Sequence, residues 1–203
     1  RYSNLCNFKC RMCGEQLSSS WEAEKKKHNM WTVEQQPFMQ KDVKKKMTTF
    51  QTEVVEPEFR EAISKGIVEE IYWVGGEPLM YDIHWWALEE MVKNGSAKNC
   101  YLRYNSNLSR TELKGKKLFD YLPQFKDWLM CASIDGTGEI VEFIRKGIVW
   151  EQWLANFKEG LAAPGGKDKM LFDLTITGPG MFSIKDLFDL SLELDVRIET
   201  KIM

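Results

Sequence analysis

Four short runs of β-branched and aromatic residues, each cut off by a polar or Gly-rich cluster, constrain the fold of this chain most strongly. Ile71-Tyr72-Trp73-Val74 stops at Gly75-Gly76, and Tyr101-Leu102-Arg103-Tyr104 stops at Asn105-Ser106-Asn107. Trp128 to Ile134 stops at Asp135-Gly136, and Leu171 to Ile176 stops at Thr177-Gly178-Pro179-Gly180. A fifth run, Val196 to Ile202, lies at the end of the sequence, and Arg1-Tyr2-Ser3 reads as a truncated strand ahead of them. Residues of this kind favour a pleated, half-buried surface, and the clusters that stop them favour turns. The segments between carry helical spacing. Glu58 to Lys65 halts at Gly66, and Ile83, Trp86, Ala87, Glu90 and Met91 recur at helical intervals before Gly95. Ser109 with Glu112 three residues on has the form of a capping box. Trp150, Trp153, Leu154, Phe157 and Leu161 make one apolar stripe; Leu187, Leu190, Ser191 and Leu194 make another. Strands alternating with helices predict an α/β chain of βα units around a parallel sheet. Six units make a partial (β/α)6 barrel of TIM-like form, short of a closed eight. In such barrels chemistry sits at the C-terminal strand ends, where every cluster above falls.

Composition narrows the partners. A chain of 203 residues is one domain by size, and its net charge of −2 does not suit electrostatic capture of nucleic acid. With 43% hydrophobic residues and eight Trp it is globular in character. No run of apolar residues is long enough to span a membrane, and no signal peptide opens the sequence, so a cytoplasmic protein is expected. Because it begins at Arg1 and ends in a strand-like run, residues 1–203 are read as one domain cut at both ends. Between Trp21 and Pro57 the chain is rich in Lys, Gln, Glu and Thr, and Lys41 to Lys46 holds four Lys, which reads as a solvated helix or loop.

The sharpest chemical signal is Cys6-Asn7-Phe8-Lys9-Cys10-Arg11-Met12-Cys13, a C-x3-C-x2-C. Thiolates suit soft metals, whether iron–sulfur clusters, zinc or copper. Structural zinc takes four protein ligands, and His28, His84, Cys100 and Cys131 stand at no zinc-like spacing. Three ligands on a four-iron cluster leave one iron open, which is a site for a small molecule. Gly75-Gly76-Glu77-Pro78 adds a second signal: two glycines let backbone approach a ligand closely, and Glu77 offers a carboxylate to a cation. A rival reading stays open here, a non-catalytic scaffold holding structural zinc or an electron-transfer cluster.

The cysteine loop after a first strand, with Gly-Gly-Glu-Pro at the end of the second, resembles the radical S-adenosylmethionine (SAM) enzymes. Asn105-Ser106-Asn107, Ser133-Ile134-Asp135-Gly136 and Arg145 follow in the order of the subgroup that carries auxiliary clusters, the SPASM and twitch types. The resemblance implies that Cys6, Cys10 and Cys13 ligate a four-iron four-sulfur cluster whose open iron takes the methionine part of SAM. It implies that the Gly75, Gly76, Glu77, Pro78 segment holds the methionine ammonium and that Ser133 and Asp135 contact the ribose. It further implies that Arg145 pairs with the carboxylate and that Asn107 faces the SAM or substrate pocket. The backbone near Ile176 and Thr177 is placed at the adenine. Where the family commonly has an aromatic before the last cysteine this chain has Met12, whose thioether can still pack on a ring. The implied activity is reductive cleavage of SAM to a 5′-deoxyadenosyl radical that takes hydrogen from a substrate, an oxidoreductase or transferase type of reaction. Substrates in that subgroup are often peptides or proteins, and the electron comes from a reductant such as a flavodoxin or ferredoxin. His84, Cys100 and Cys131 are read as packing residues. Asp173 and Glu199 touch a substrate only if strand alternation turns them inward.

Overall fold

The computed structural model describes residues 3–30 and 40–202. Its strands, in chain order, are β1 (Lys9–Cys10), β2 (Glu70–Trp73), β3 (Tyr101–Ser106), β4 (Glu112–Leu113), β5 (Lys116–Lys117), β6 (Asp127–Ile134), β7 (Arg145–Lys146), β8 (Met170–Ile176) and β9 (Arg197–Ile202). The helices are α1 (Ser19–Lys27), α2 (Lys41–Phe50), α3 (Glu56–Ser64), α4 (Asp82–Lys93), α5 (Leu118–Tyr121), α6 (Gly138–Ile144), α7 (Trp150–Ala162) and α8 (Ile184–Leu194). The main sheet has the order β2-β3-β6-β8-β9, and every pair in it is parallel. Each strand therefore lies beside the next main strand in sequence, which is the βα progression of an opened barrel.

The two faces of the sheet differ sharply. Trp73, Leu102, Tyr104, Trp128, Met130, Phe172 and Leu174 form one face, and all are buried. Rings from α7 pack on it: Trp153 lies 5.7 Å and Phe157 4.7 Å from the ring of Phe172. Burying side chains of this size stabilises by roughly 1.5–3 kcal/mol each. The register places Tyr72 opposite Arg103, Asn105 opposite Cys131, Ser133 opposite Asp173, and Asp173 opposite Glu199 on the other face. That face carries polar and charged side chains around the buried Cys131 and Leu171 and is exposed toward its edges, at Tyr72 and Glu199. Parallel sheets are ordinarily apolar on both sides, so a polar second face marks the inner wall of a partial barrel.

Several sequence expectations need correction. Ser109 and Glu112 do not cap a helix. Glu112 begins the β4–β5 hairpin, whose turn is Lys114-Gly115 with φ of 52° and 79°. Two central residues with positive φ make the tight turn that joins antiparallel strands, and Gly115 makes it accessible. Asn105 and Ser106 do not stop β3 but finish it. Of the first strand, Arg1 and Tyr2 lie outside the described residues. Ser3 to Leu5 form no strand, though Gly76 N–H donates to Ser3 O and Glu77 N–H to Leu5 O at 3.2 and 2.7 Å. The sheet of described residues thus has five strands, with this segment laid along the end of β2.

Lys41 to Lys46 opens α2, which runs through a wider π turn (Gln51–Val55) directly into α3. Pro57, at the start of α3, lacks the N–H that would bond one turn back, and the widened turn lies where that bond is missing. Lys44 of α2 pairs with Glu22 of α1. Among the described residues no helix is long and apolar enough to cross a membrane.

Candidate functional site

The cysteine loop is held from outside by the start of α1. Ser18 is the N-cap of that helix, accepting from Trp21 N–H, and its hydroxyl donates to Phe8 O at 2.5 Å. Ser20 donates to Cys6 O and the Trp21 indole to Cys10 O, both at 2.8 Å. On the other side the β1–β7 ladder sets Cys10 opposite Arg145 and Lys9 opposite Lys146. With the loop carbonyls taken up in this way, Cys6 and Cys10 are buried and Cys13 is half-buried. The row Ser18-Ser19-Ser20-Trp21 was not singled out in the sequence; a Ser three residues before a helical N–H is the local signal that marks such a cap.

The sulfur atoms sit in a donor-rich setting. Phe8 N–H lies 3.4 Å and Asn107 Nδ2 3.8 Å from Cys6 Sγ. Burial pushes the Cys6 thiol up to about 11. A hydrogen bond between Cys10 and Cys13 raises the first and lowers the second. The buried Arg145 guanidinium favours thiolate at both. Among the described residues no three His, Cys, Asp or Glu side chains converge on a single metal ion. The donor set is three thiols within electrostatic reach of one another, with N–H groups and a cation facing the sulfurs and, among the described residues, no fourth side-chain ligand. Such a set fits a thiolate-held cluster, whose sulfurs take N–H hydrogen bonds.

Beside the loop stands the end of β2. Gly75 has φ of 142°, a conformation that favours glycine, and a Cβ on Gly76 would lie 2.3 Å from Leu5 O. Glu77 is fully buried. Its Oε1 accepts from Leu79 N–H at 3.0 Å and from Ser106 Oγ at 2.8 Å, and its Oε2 accepts from Asn107 N–H at 2.6 Å. The carboxyl that was expected to meet a ligand cation thus ties the ends of β2 and β3 together. Pro78 is buried in the short turn that follows. Asn107 then reaches the loop through Asn7 Oδ1 at 3.0 Å. Ser106 escaped the sequence reading, because nothing local links it to a carboxylate 29 residues away.

Burial pushes the Glu77 carboxyl up from 4.5 to about 7. Between these values the folded protein keeps a proton that the unfolded chain has released. Stability is therefore expected to fall as pH rises through the 4.5–7 window, by about 3 kcal/mol in all, and to level off above it. Denaturant titrations across that range on wild type and Glu77→Gln check this: the variant should lose the slope. A wild-type curve rising with pH through the window would contradict the reading.

The end of β6 brings Asp135 to Arg145. Arg145 Nη2 donates to Asp135 Oδ1 at 2.9 Å, and Nε lies 2.5 Å from Oδ2, with both residues buried. Asp135 Oδ1 also accepts from Thr175 N–H at 3.1 Å. The two residues expected to contact a ligand separately are in this structure each other's partners. Ser133 lies one row below, half-buried on the inner wall. Met12 is partly buried against the core. Thr177 Oγ1 accepts from Gly180 N–H at 3.2 Å. Asp173 and Glu199 both face inward, which settles the alternation. His84 is buried with Nε2 2.9 Å from Tyr104 Oη, and burial pushes it down to about 3, so it is neutral packing.

The model of the Radical SAM superfamily matches residues 1–181 of this chain. Among solved structures, SuiB of Streptococcus suis bound to S-adenosylmethionine is similar, with a TM-score of 0.52 and 18% identity over 72% of this chain and 32% of that one. A second crystal structure of SuiB gives 0.51 and 17% over the same shares. At this identity the likeness is one of fold, and the chain spans about a third of the length of those proteins. No curated protein gives a significant sequence match.

Proposed function

We propose, from the premise that this chain belongs to the radical SAM superfamily, that Cys6, Cys10 and Cys13 hold the family's four-iron four-sulfur cluster and that the strand ends around them receive SAM. Members of the family are enzymes that use this cluster and SAM together. When bound, the two supply a 5′-deoxyadenosyl radical for hydrogen abstraction. The observation that carries the reading is the three-thiol loop, with no fourth side-chain ligand among the described residues, set against Gly76 and Asn107.

The chain's own residues have distinct tasks in this proposal. The glycines of the Gly75 to Pro78 segment let its backbone close on Asn4 and Leu5, which lead into the cysteine loop. Glu77, bonded to three donors, fixes that backbone rather than reaching a ligand itself. Asn107 Nδ2 and Phe8 N–H steady the Cys6 sulfur. Ser133 and Met12 line the space between loop and inner wall, for the ribose and adenine. Asp135 and Arg145 act as a pair: Arg145 offsets the negative charge of the thiolates, and Asp135 keeps it in place. The substrate we propose is a peptide or protein segment lying on the inner wall, with a small acidic redox protein of the flavodoxin or ferredoxin kind as reductant. Assignment to the SPASM or twitch subgroup rests on the Ser133 to Gly136 and Arg145 pattern, and a cytoplasmic location accords with oxygen-sensitive chemistry.

The test is anaerobic. The protein is reconstituted with iron and sulfide, reduced, given SAM, and assayed for 5′-deoxyadenosine by mass-resolved chromatography. The expected result is nucleoside from wild type and none from Cys6→Ala/Cys10→Ala/Cys13→Ala. Binding of zinc alone, with no cluster, would overturn the reading in favour of a scaffold.

A further inference from the structure

We infer that Arg103 on the inner wall is a carboxylate-binding subsite for the substrate, with Glu199 across the wall receiving a cationic group of the same molecule; this rests on the inner wall being the substrate face. The inner wall carries its charges unevenly. Asp173 is buried, accepts from Asn105 Nδ2 at 2.6 Å and pairs with Lys201 at 2.7 Å. Tyr72 Oη completes that chain by donating to Asn105 Oδ1. These groups satisfy one another and form a fixed floor. Arg103 stands apart, with no ion pair among the described residues. Its guanidinium carbon lies 5.1 Å from the Tyr72 ring centroid, and its Nε is buried with no hydrogen-bond acceptor. Stacked on that ring, hydrogen-bonded to the Cys131 thiol and within electrostatic reach of Glu199, the guanidinium is restrained before any ligand arrives. Its free edge suits the two oxygens of a carboxylate, which it can take bidentately.

Position fixes the size of the ligand. Arg103 lies four residues below Asn107 along the same strand direction, roughly 13 Å at the rise of a β-strand. An amino-acid to dipeptide length fits between the guanidinium and the strand-end layer that meets the cysteine loop. Glu199, three strands across on the same face, likewise makes no ion pair among the described residues. Its charge already acts on Arg103, so a simple anion entering between them would meet repulsion, whereas a ligand with opposite charges at its two ends finds a partner at each.

The test uses arginine-labelled (15N) protein and four forms of alanyl-alanine: free, N-acetylated, C-amidated and blocked at both ends. The Nε–H resonance of Arg103, assigned by its disappearance in Arg103→Lys, is followed during titration. The free acid is expected to move it saturably, the C-amide to bind at least tenfold more weakly, and N-acetylation to weaken binding several-fold in wild type but not in Glu199→Gln. Equal shifts from acid and amide, or no shift from any form in the millimolar range, would overturn the subsite. An acetyl group without effect in wild type would overturn the role of Glu199. SAM binding by reconstituted wild type is measured alongside. Its absence with the Arg103 shift intact would refute the proposed function and leave the subsite standing, and the reverse pattern would refute only the subsite.

Discussion

Arg145→Ala is expected to destabilise the protein by about 3–5 kcal/mol, because truncating one member of a buried pair strands the other's charge. Asp135, whose side chain has no exposure, would be left with Thr175 N–H at 3.1 Å and no cation. Asp135→Asn combined with Arg145→Met removes both charges and should recover most of the stability. Urea titrations of Asp135→Asn, Arg145→Met and the double variant beside wild type form the necessary cycle. Additive losses would mean that the two side chains do not depend on each other. The variant should also loosen the cysteine loop, since Arg145 stands opposite Cys10 in the β1–β7 ladder.

Trp153→Ala should cost a similar amount, about 3–5 kcal/mol, by a different route. Trp153 is fully buried between Trp150 at 5.8 Å, Phe157 at 5.3 Å and Phe172 at 5.7 Å, so its removal opens a cavity walled by rings that cannot close in. Its indole N–H has no acceptor. Trp153→Phe deletes that unsatisfied donor with the ring and should lose less than half as much. Thermal unfolding of the two variants separates the contributions. Equal losses would assign the cost to the indole itself rather than to the void.

The main-sheet strands could be read from the sequence because each couples a β-favouring run to a stop signal, and the periodic helices because their apolar stripes face a covered wall. Tertiary partners decided what local pattern could not. Ser109 and Glu112 match a capping box, but Lys114-Gly115 accepts positive φ and the hairpin wins. Asn105 looks like a stop, yet its amide is consumed by Asp173 within the strand. Asp173 itself sits among Leu171, Phe172 and Leu174, all buried, so no alternation was visible to say which way it faced. The spacing of the three cysteines pointed to soft-metal chemistry, and the resemblance narrowed it to a cluster. The pairing of Asp135 with Arg145, and the bonds of Glu77 to Ser106, Asn107 and Leu79, depend on how strand ends meet.

The β1–β7 ladder is two residues long and joins positions 9 and 146, while the main-sheet strands pair with near neighbours in sequence. Closing so long a loop for so little pairing is entropically the least rewarded step in the fold. The sheet can accrete one unit at a time, but the cysteine loop can be clasped only after α6 is in place. The end that carries the cysteine loop is therefore the last part to assemble and the first to open, and the loop can rearrange without unfolding the wall behind it.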